Sequence, residues 1–139
     1  MRTLLDTNII VDVALERYPY FRESEGVLVL VEQSLIIAYI SATTFSDLYY
    51  IIRKERGREW TIEFLRQLAT FCQIASVDET AIQMALNSTM KDFEDAIQYC
   101  VASLNNLEAI VTRNPKDFDN ISLPVLTPAQ LIQTLSETK

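Results

Sequence analysis

The chain predicts an α/β fold: a parallel sheet with helices packed on both of its faces. Three observations carry this expectation. Short apolar runs of strand length recur between longer stretches of helical periodicity, so crossover helices must join the strands, and such crossovers are right-handed. The 139 residues, 49% apolar and 22% charged, suit one domain, residues 1–139, with a core of its own. No internal repeat, linker or low-complexity tract divides the sequence.

Thr3-Leu4-Leu5 reads as a short buried strand ended by Asp6-Thr7-Asn8, after which Ile9, Ile10, Val13 and Ala14 follow at helical spacing. Phe21 to Gln33 carries Val27, Leu28, Leu30 and Val31 and reads as a helix, although its β-branched residues also suit a strand. Leu35 to Ile40 is the clearest buried strand. Ser41 to Lys54 repeats Phe45, Leu48, Tyr49 and Ile52 on one helical face, with Ser41, Thr43 and Thr44 all able to cap its start. Trp60 to Cys72 predicts the next helix, Ile74 to Val77 a strand, and Asp78 to about Ser88 another helix. Asp92 to Asn105 has the best periodicity, with Phe93, Ala96, Ile97, Cys100, Val101 and Leu104 on one face. Ala109 to Val111 and Pro124 to Leu126 are the last strands. Thr127-Pro128 then opens a final helix through Leu131, Ile132 and Leu135, with proline at its first position.

Composition removes several chemistries. The chain has no histidine, which excludes Ser-His-Asp and Cys-His nucleophile systems, histidine zinc sites and imidazole proton shuttles. Its two glycines, Gly26 and Gly57, cannot build a phosphate-binding loop or a dinucleotide turn. Cys72 and Cys100 each lie in an apolar helical pattern and read as buried, reduced thiols. The opening Met1-Arg2-Thr3-Leu4-Leu5-Asp6 breaks its apolar run after two residues, and the longest later run, Leu35 to Ile40, is too short to span a bilayer. A soluble, cytoplasmic protein with no membrane partner is expected. The net charge of −7 repels a polyanion over most of the surface, so any nucleic-acid contact must be local. Arg53, Lys54, Arg56 and Arg58 form the densest basic cluster, read as a solvated helix end with Gly57 as the stop signal, and Arg113 with Lys116 forms a smaller one.

In an open parallel sheet the binding crevice lies beyond the carboxyl ends of the strands. Asp6 follows the first strand directly, Asp47 lies in the first turns of the helix after the second, and Asp92, Glu94 and Asp95 open the helix before the fourth. Asn114 and Asp117 lie in the loop after that strand. Each has a plain alternative. Asp6 and Asn8 can cap the first helix, and Thr44-x-x-Asp47 and Asp92-x-x-Asp95 resemble capping boxes. Convergence favours a site, because several acids on one rim repel one another unless a hard cation such as Mg²⁺ or Mn²⁺ sits among them.

Four segments together resemble the PIN domain family: Leu4-Leu5-Asp6-Thr7-Asn8-Ile9-Ile10, Ser41-Ala42-Thr43-Thr44-Phe45-Ser46-Asp47, Asp92-Phe93-Glu94-Asp95-Ala96-Ile97-Gln98 and Val111-Thr112-Arg113-Asn114-Pro115-Lys116-Asp117-Phe118. They occur in order, over essentially the whole chain. The resemblance implies a three-layer α/β/α sandwich around a parallel sheet of about five strands, and a Mg²⁺- or Mn²⁺-dependent ribonuclease whose ligands are acids. By position Asp6 matches the family's first acid, Asp95 the acid before alanine, and Asp92 an auxiliary acid. Asp47 stands where the family more often has glutamate, which shortens the reach by one methylene. Asn114 falls where a fourth acid is frequently aspartate, and Asp117 three residues later can substitute. Many small members are toxins of the VapC type, neutralised by an antitoxin and often homodimeric.

On this reading the reaction is metal-assisted hydrolysis of an RNA phosphodiester. Asp6, Asp47 and Asp95 are the expected catalytic acids, and with Asp92, Asn114 and Asp117 the candidate metal ligands. Thr7, Asn8, Thr44 and Thr112 are expected to orient the carboxylates. Arg113 and Lys116 are expected to guide RNA, with little stability lost in Arg113→Ala. The alternative is a catalytically silent PIN-like scaffold that binds RNA or a protein partner without cleaving, motivated by Asp47 and Asn114. A receiver-type phosphoacceptor fits poorly, since no acid pair follows the first strand. Tyr49, Tyr50, Ile51 and Ile52 occupy consecutive helix positions, so their helix should be covered on two sides, by the sheet and by either the Trp60 to Cys72 helix or a partner.

Overall fold

The structure, a computed structural model, describes residues 1–137, so the last two residues of the expected 1–139 span lie outside it. Its strands are β1 (Arg2–Leu5), β2 (Ile37–Ser41), β3 (Gln73–Ala75), β4 (Ala109–Val111) and β5 (Val125–Leu126). They form one sheet in the order β3-β2-β1-β4-β5, every neighbouring pair parallel. β1 is central, with Leu4 and Leu5 fully buried, as expected of a strand covered on both faces.

Alternation along the strands decides which helix each residue meets. Leu5, Ile40 and Val111 point into a core shared with α1 (Thr7–Ala14), α2 (Phe21–Glu32), α3 (Ala42–Arg56), α4 (Arg58–Phe71) and α7 (Pro128–Glu137), through Ile9, Val27, Leu48, Ile52, Leu68 and Leu131. Leu4 and Ile110 point the other way, into a core with Ala81 and Ala85 of α5 (Glu79–Leu86) and Ile97 and Val101 of α6 (Phe93–Leu104). The result is a three-layer sandwich.

Local chemistry sets the element ends. Thr127 and Gln130 cap α7 reciprocally, Thr127 Oγ1 accepting from the Gln130 amide at 3.1 Å and Gln130 Oε1 from the Thr127 amide at 2.9 Å. Gly57, at φ 82°, ends α3 and begins α4, a left-handed turn that glycine adopts without strain. Arg53, Lys54 and Arg56 fill the last turn of α3, as a helix C-terminus favours. Arg56 also donates to the Ala14 carbonyl at 3.1 Å and stacks on Trp60.

Three elements differ from the sequence reading. The second strand begins at Ile37 rather than Leu35, because Leu35 N–H bonds back to the Leu30 carbonyl and Ser34 turns at φ 60°. The third is Gln73–Ala75 rather than Ile74 to Val77; it is an edge strand, and Ile74 is 53% exposed. Pro115–Phe118, expected as loop, forms a turn of 3-10 helix anchored by buried Phe118. On α3, Leu48 and Ile52 are buried, but Tyr50 and Ile51 remain 57% and 37% exposed, so α4 does not cover that side. Among the described residues no helix is long and apolar enough to cross a membrane.

Candidate functional site

The site begins where β1 ends. Asp6 N–H donates to the Val111 carbonyl, continuing the β1–β4 pairing by one residue and setting Asp6 beside Thr112. The Asp6 side chain caps α1 by accepting from the Thr7 amide at 2.9 Å. Three side chains complete its hold: Thr112 Oγ1 donates at 2.8 Å, Gln98 Nε2 at 3.3 Å and Asn8 Nδ2 at 3.4 Å. Every donor is neutral, so Asp6 is oriented without being paired to a cation.

A second ring of contacts holds these donors. Thr44 Oγ1, buried, accepts from Gln98 Nε2 at 3.3 Å and from Thr7 Oγ1 at 3.5 Å. Asn8 donates to Thr112 Oγ1 and accepts from the Arg113 amide, while Thr112 Oγ1 also accepts from the Asn114 amide. Loops after β1 and β4, the start of α3 and the middle of α6 are thereby tied to one carboxylate. Thr44 lies inside α3 and does not cap it; Ser41 precedes the helix and its hydroxyl bonds Thr43 instead.

Asp92 caps α6 by accepting from the Asp95 amide at 3.0 Å, and the same turn brings Asp95 and Glu94 to the rim. Burial pushes the Asp95 carboxyl up to about 7, helped by the charges of Asp6, Asp92, Asp117 and Glu94. Glu94 is also raised, by Asp47 first, then by burial, Asp92 and Asp6. Capping and convergence therefore hold together: Asp6 and Asp92 do both. Asp6, Asp47, Asp92, Glu94, Asp95 and Asp117 all line one cavity of about 700 Å³.

The other sequence candidates separate. Asn114 and Lys116 are exposed and do not line the cavity. Arg113 turns behind the site, its Nε 3.3 Å from Oδ2 of fully buried Asp12 and its guanidinium 4.1 Å from the Tyr20 ring centre. The pair is close but off-line for a hydrogen bond. Burial raises the Asp12 carboxyl, opposed by the charges of Arg113 and Arg17 and by Ser24. Taking Arg113 away would leave Asp12 without its ion-pair partner, so the structure favours a larger stability cost for Arg113→Ala than the sequence suggests.

Sequence reasoning missed Gln98 as a ligand-orienting residue. Its signal was a polar side chain three positions after Asp95, on the side of α6 that is otherwise apolar. It also left out Arg17, which lines the cavity, and Asp12, whose place inside the apolar run Ile9 to Leu15 hinted at burial but named no partner.

Residues 2–116 match the family model described as PIN domain. The chain belongs to the PIN domain family. Among curated proteins none matches it. Solved structures do. A toxin–antitoxin complex from Klebsiella pneumoniae is 29% identical, with 91% of this chain covering 97% of that one at a TM-score of 0.69. VapBC2 from Rickettsia felis, bound to a DNA fragment from its promoter, is 19% identical over 91% and 98% of the two chains at 0.67. VapC20 from Mycobacterium tuberculosis, a sarcin–ricin loop cleaving toxin, is 10% identical over 78% and 86% at 0.62. Structural neighbours of this PIN domain thus include toxins of toxin–antitoxin complexes.

PIN domains are typically nucleases and generally metal-dependent. Among the described residues no group of three or more Asp, Glu, Cys or His is drawn close enough to hold an ion by itself. The donors surround the cavity rather than closing into a cage. Such an arrangement suits Mg²⁺ or Mn²⁺, hard cations for oxygen sites; Mg²⁺ in particular keeps several waters and takes only one or two carboxylates.

Proposed function

We propose that this PIN domain is a Mg²⁺- or Mn²⁺-dependent endoribonuclease that hydrolyses RNA phosphodiester bonds, and that it is the toxin of a toxin–antitoxin pair. One observation carries the reading: six carboxylates line one cavity, and none of them is paired with a cation among the described residues. Mutually repelling acids left unpaired are a liability to the fold and an asset to a cation site.

Asp6 and Asp95 would hold the ion, with Asp47 and Asp92 reaching it directly or through water, and Asp117 rather than Asn114 on the weaker side. A bound Mg²⁺ or Mn²⁺ supplies an activated water and neutralises charge on the phosphate. Thr112, Gln98, Asn8 and the Thr7 amide fix the Asp6 carboxylate before any ligand arrives. Thr44 in turn fixes Gln98. This machinery needs no histidine.

The toxin role is supported by the VapBC and Klebsiella neighbours, and by exposed Tyr50 and Ile51 at the cavity wall, which offer an antitoxin or a second copy of the chain an apolar footing. The open spacing of the acids also suits a PIN scaffold that binds RNA or a protein without cleaving. Cleavage of single-stranded RNA with Mn²⁺ separates the two. The wild type should cut and Asp6→Asn should lose on the order of 100-fold or more. Equal rates, or full activity in chelator, would overturn the assignment.

A further inference from the structure

An RNA phosphate must enter a cavity walled by acids, and one lining residue stands apart from them. Arg17 is the sole cation lining that cavity among the described residues. Among the described residues its guanidinium makes no hydrogen bond or ion pair; the pairs Arg56–Glu16, Arg66–Glu63 and Arg113–Asp12 leave it out. Asp12 feels its charge through space, without direct contact.

The backbone of Arg17, by contrast, is held at both ends. After α1 the chain turns through Glu16 at φ 50°, Arg17 N–H donates to the Asp12 carbonyl at 3.0 Å, and the Arg17 carbonyl accepts from Phe21 N–H at 2.7 Å. A long cationic side chain thus rises from a fixed base, its guanidinium donors unpaired among the described residues. An arginine beside six carboxylates that pairs with none of them is arranged for an anion from outside.

Resting on the ribonuclease reading, we infer that Arg17 is the residue that binds a backbone phosphate of the RNA and draws it toward Asp6 and Asp95. The two cations expected from sequence serve this less well. Arg113 is committed to Asp12 and Tyr20, and Lys116 lies outside the cavity. A guanidinium suits the task, since its planar fork meets two phosphate oxygens at once.

The test combines cleavage and binding with the full chain. Cleavage of a single-stranded RNA oligonucleotide is followed with Mn²⁺ across NaCl concentrations for wild type, Arg17→Ala and Arg17→Lys. Binding of the same RNA is followed by fluorescence anisotropy on an Asp6→Asn background. Arg17→Ala should raise KM about tenfold with kcat less affected, and reduce the salt slope of binding by about 0.7, the share of one phosphate on a single strand. Arg17→Lys should restore the slope and only part of the affinity. Melting temperatures should stay within a few degrees, as Arg17 is exposed and reaches Asp12 only through space. RNA bound or cleaved with unchanged KM and slope in Arg17→Ala would overturn the role of Arg17 alone. A wild type that binds RNA without cutting it would overturn the ribonuclease reading, and the slope would still decide Arg17. No RNA binding or cleavage by the wild type would overturn both.

Discussion

Asp6 caps one short helix and Asp12 lies within it, less than about two turns on, and the fold treats them in opposite ways. Asp12 is sealed from solvent and faced by Arg113, with Arg17 in electrostatic range. Asp6 is almost as buried, at 8% exposure, yet every group that hydrogen-bonds it is neutral, and five further carboxylates line its cavity with Arg17 the one cation among the described residues. A paired acid is silenced and becomes part of the scaffold. An oriented but unpaired acid keeps its charge for a ligand.

The largest expected effect breaks the silent half. Arg113→Ala should lower the unfolding free energy by about 3 kcal/mol in urea titration, and adding Asp12→Asn should recover much of that loss. A loss below about 0.5 kcal/mol would show that Asp12 does not need its partner.

The unpaired half should respond with the opposite sign. An Asp95 carboxyl at about 7, against its ordinary 3.8, binds its proton more tightly folded than unfolded. Stability from this group is therefore complete below about pH 4 and is lost as pH rises through 7. In chelator, Asp95→Asn should raise Tm by a few degrees at pH 8 and by little at pH 4. The same gain at both values would remove the charge explanation.

Thr112→Val sharpens the contrast at smallest cost to the fold. Losing the 2.8 Å donor to Asp6 should cost about 1 kcal/mol in stability, yet reduce cleavage roughly 10- to 100-fold, because the carboxylate loses its orientation. Equal cleavage by Thr112→Val would assign the threonine to structure only.

Much of the frame was legible. Thr3 to Leu5, Leu35 to Ile40 and Ala109 to Val111 read as buried strands because parallel strands are covered on both faces and carry apolar runs. Asp6, Asp92 and Asp95 were legible because they stand at strand and helix ends, where a parallel sheet collects its rim. Arg17, Gln98 and Asp12 were not: a polar residue within an apolar helical pattern, as at Gln98 and Asp12, signals burial but not its partner, and nothing local tells whether Arg17 faces the rim or solvent. The start of β2 was missed by two residues for a related reason: Leu35 and Ile36 look like strand, but Leu35 N–H closes the end of α2.

Periodicity and end signals are local, and from them the sequence by itself determined the α/β class, the element order and the rim acids. Charge pairing is a property of distance in three dimensions, and only the tertiary structure decided it. Among the described residues Arg113 is bound to an acid 101 positions away and Arg17 to none. Attraction falls with separation in space, not along the chain.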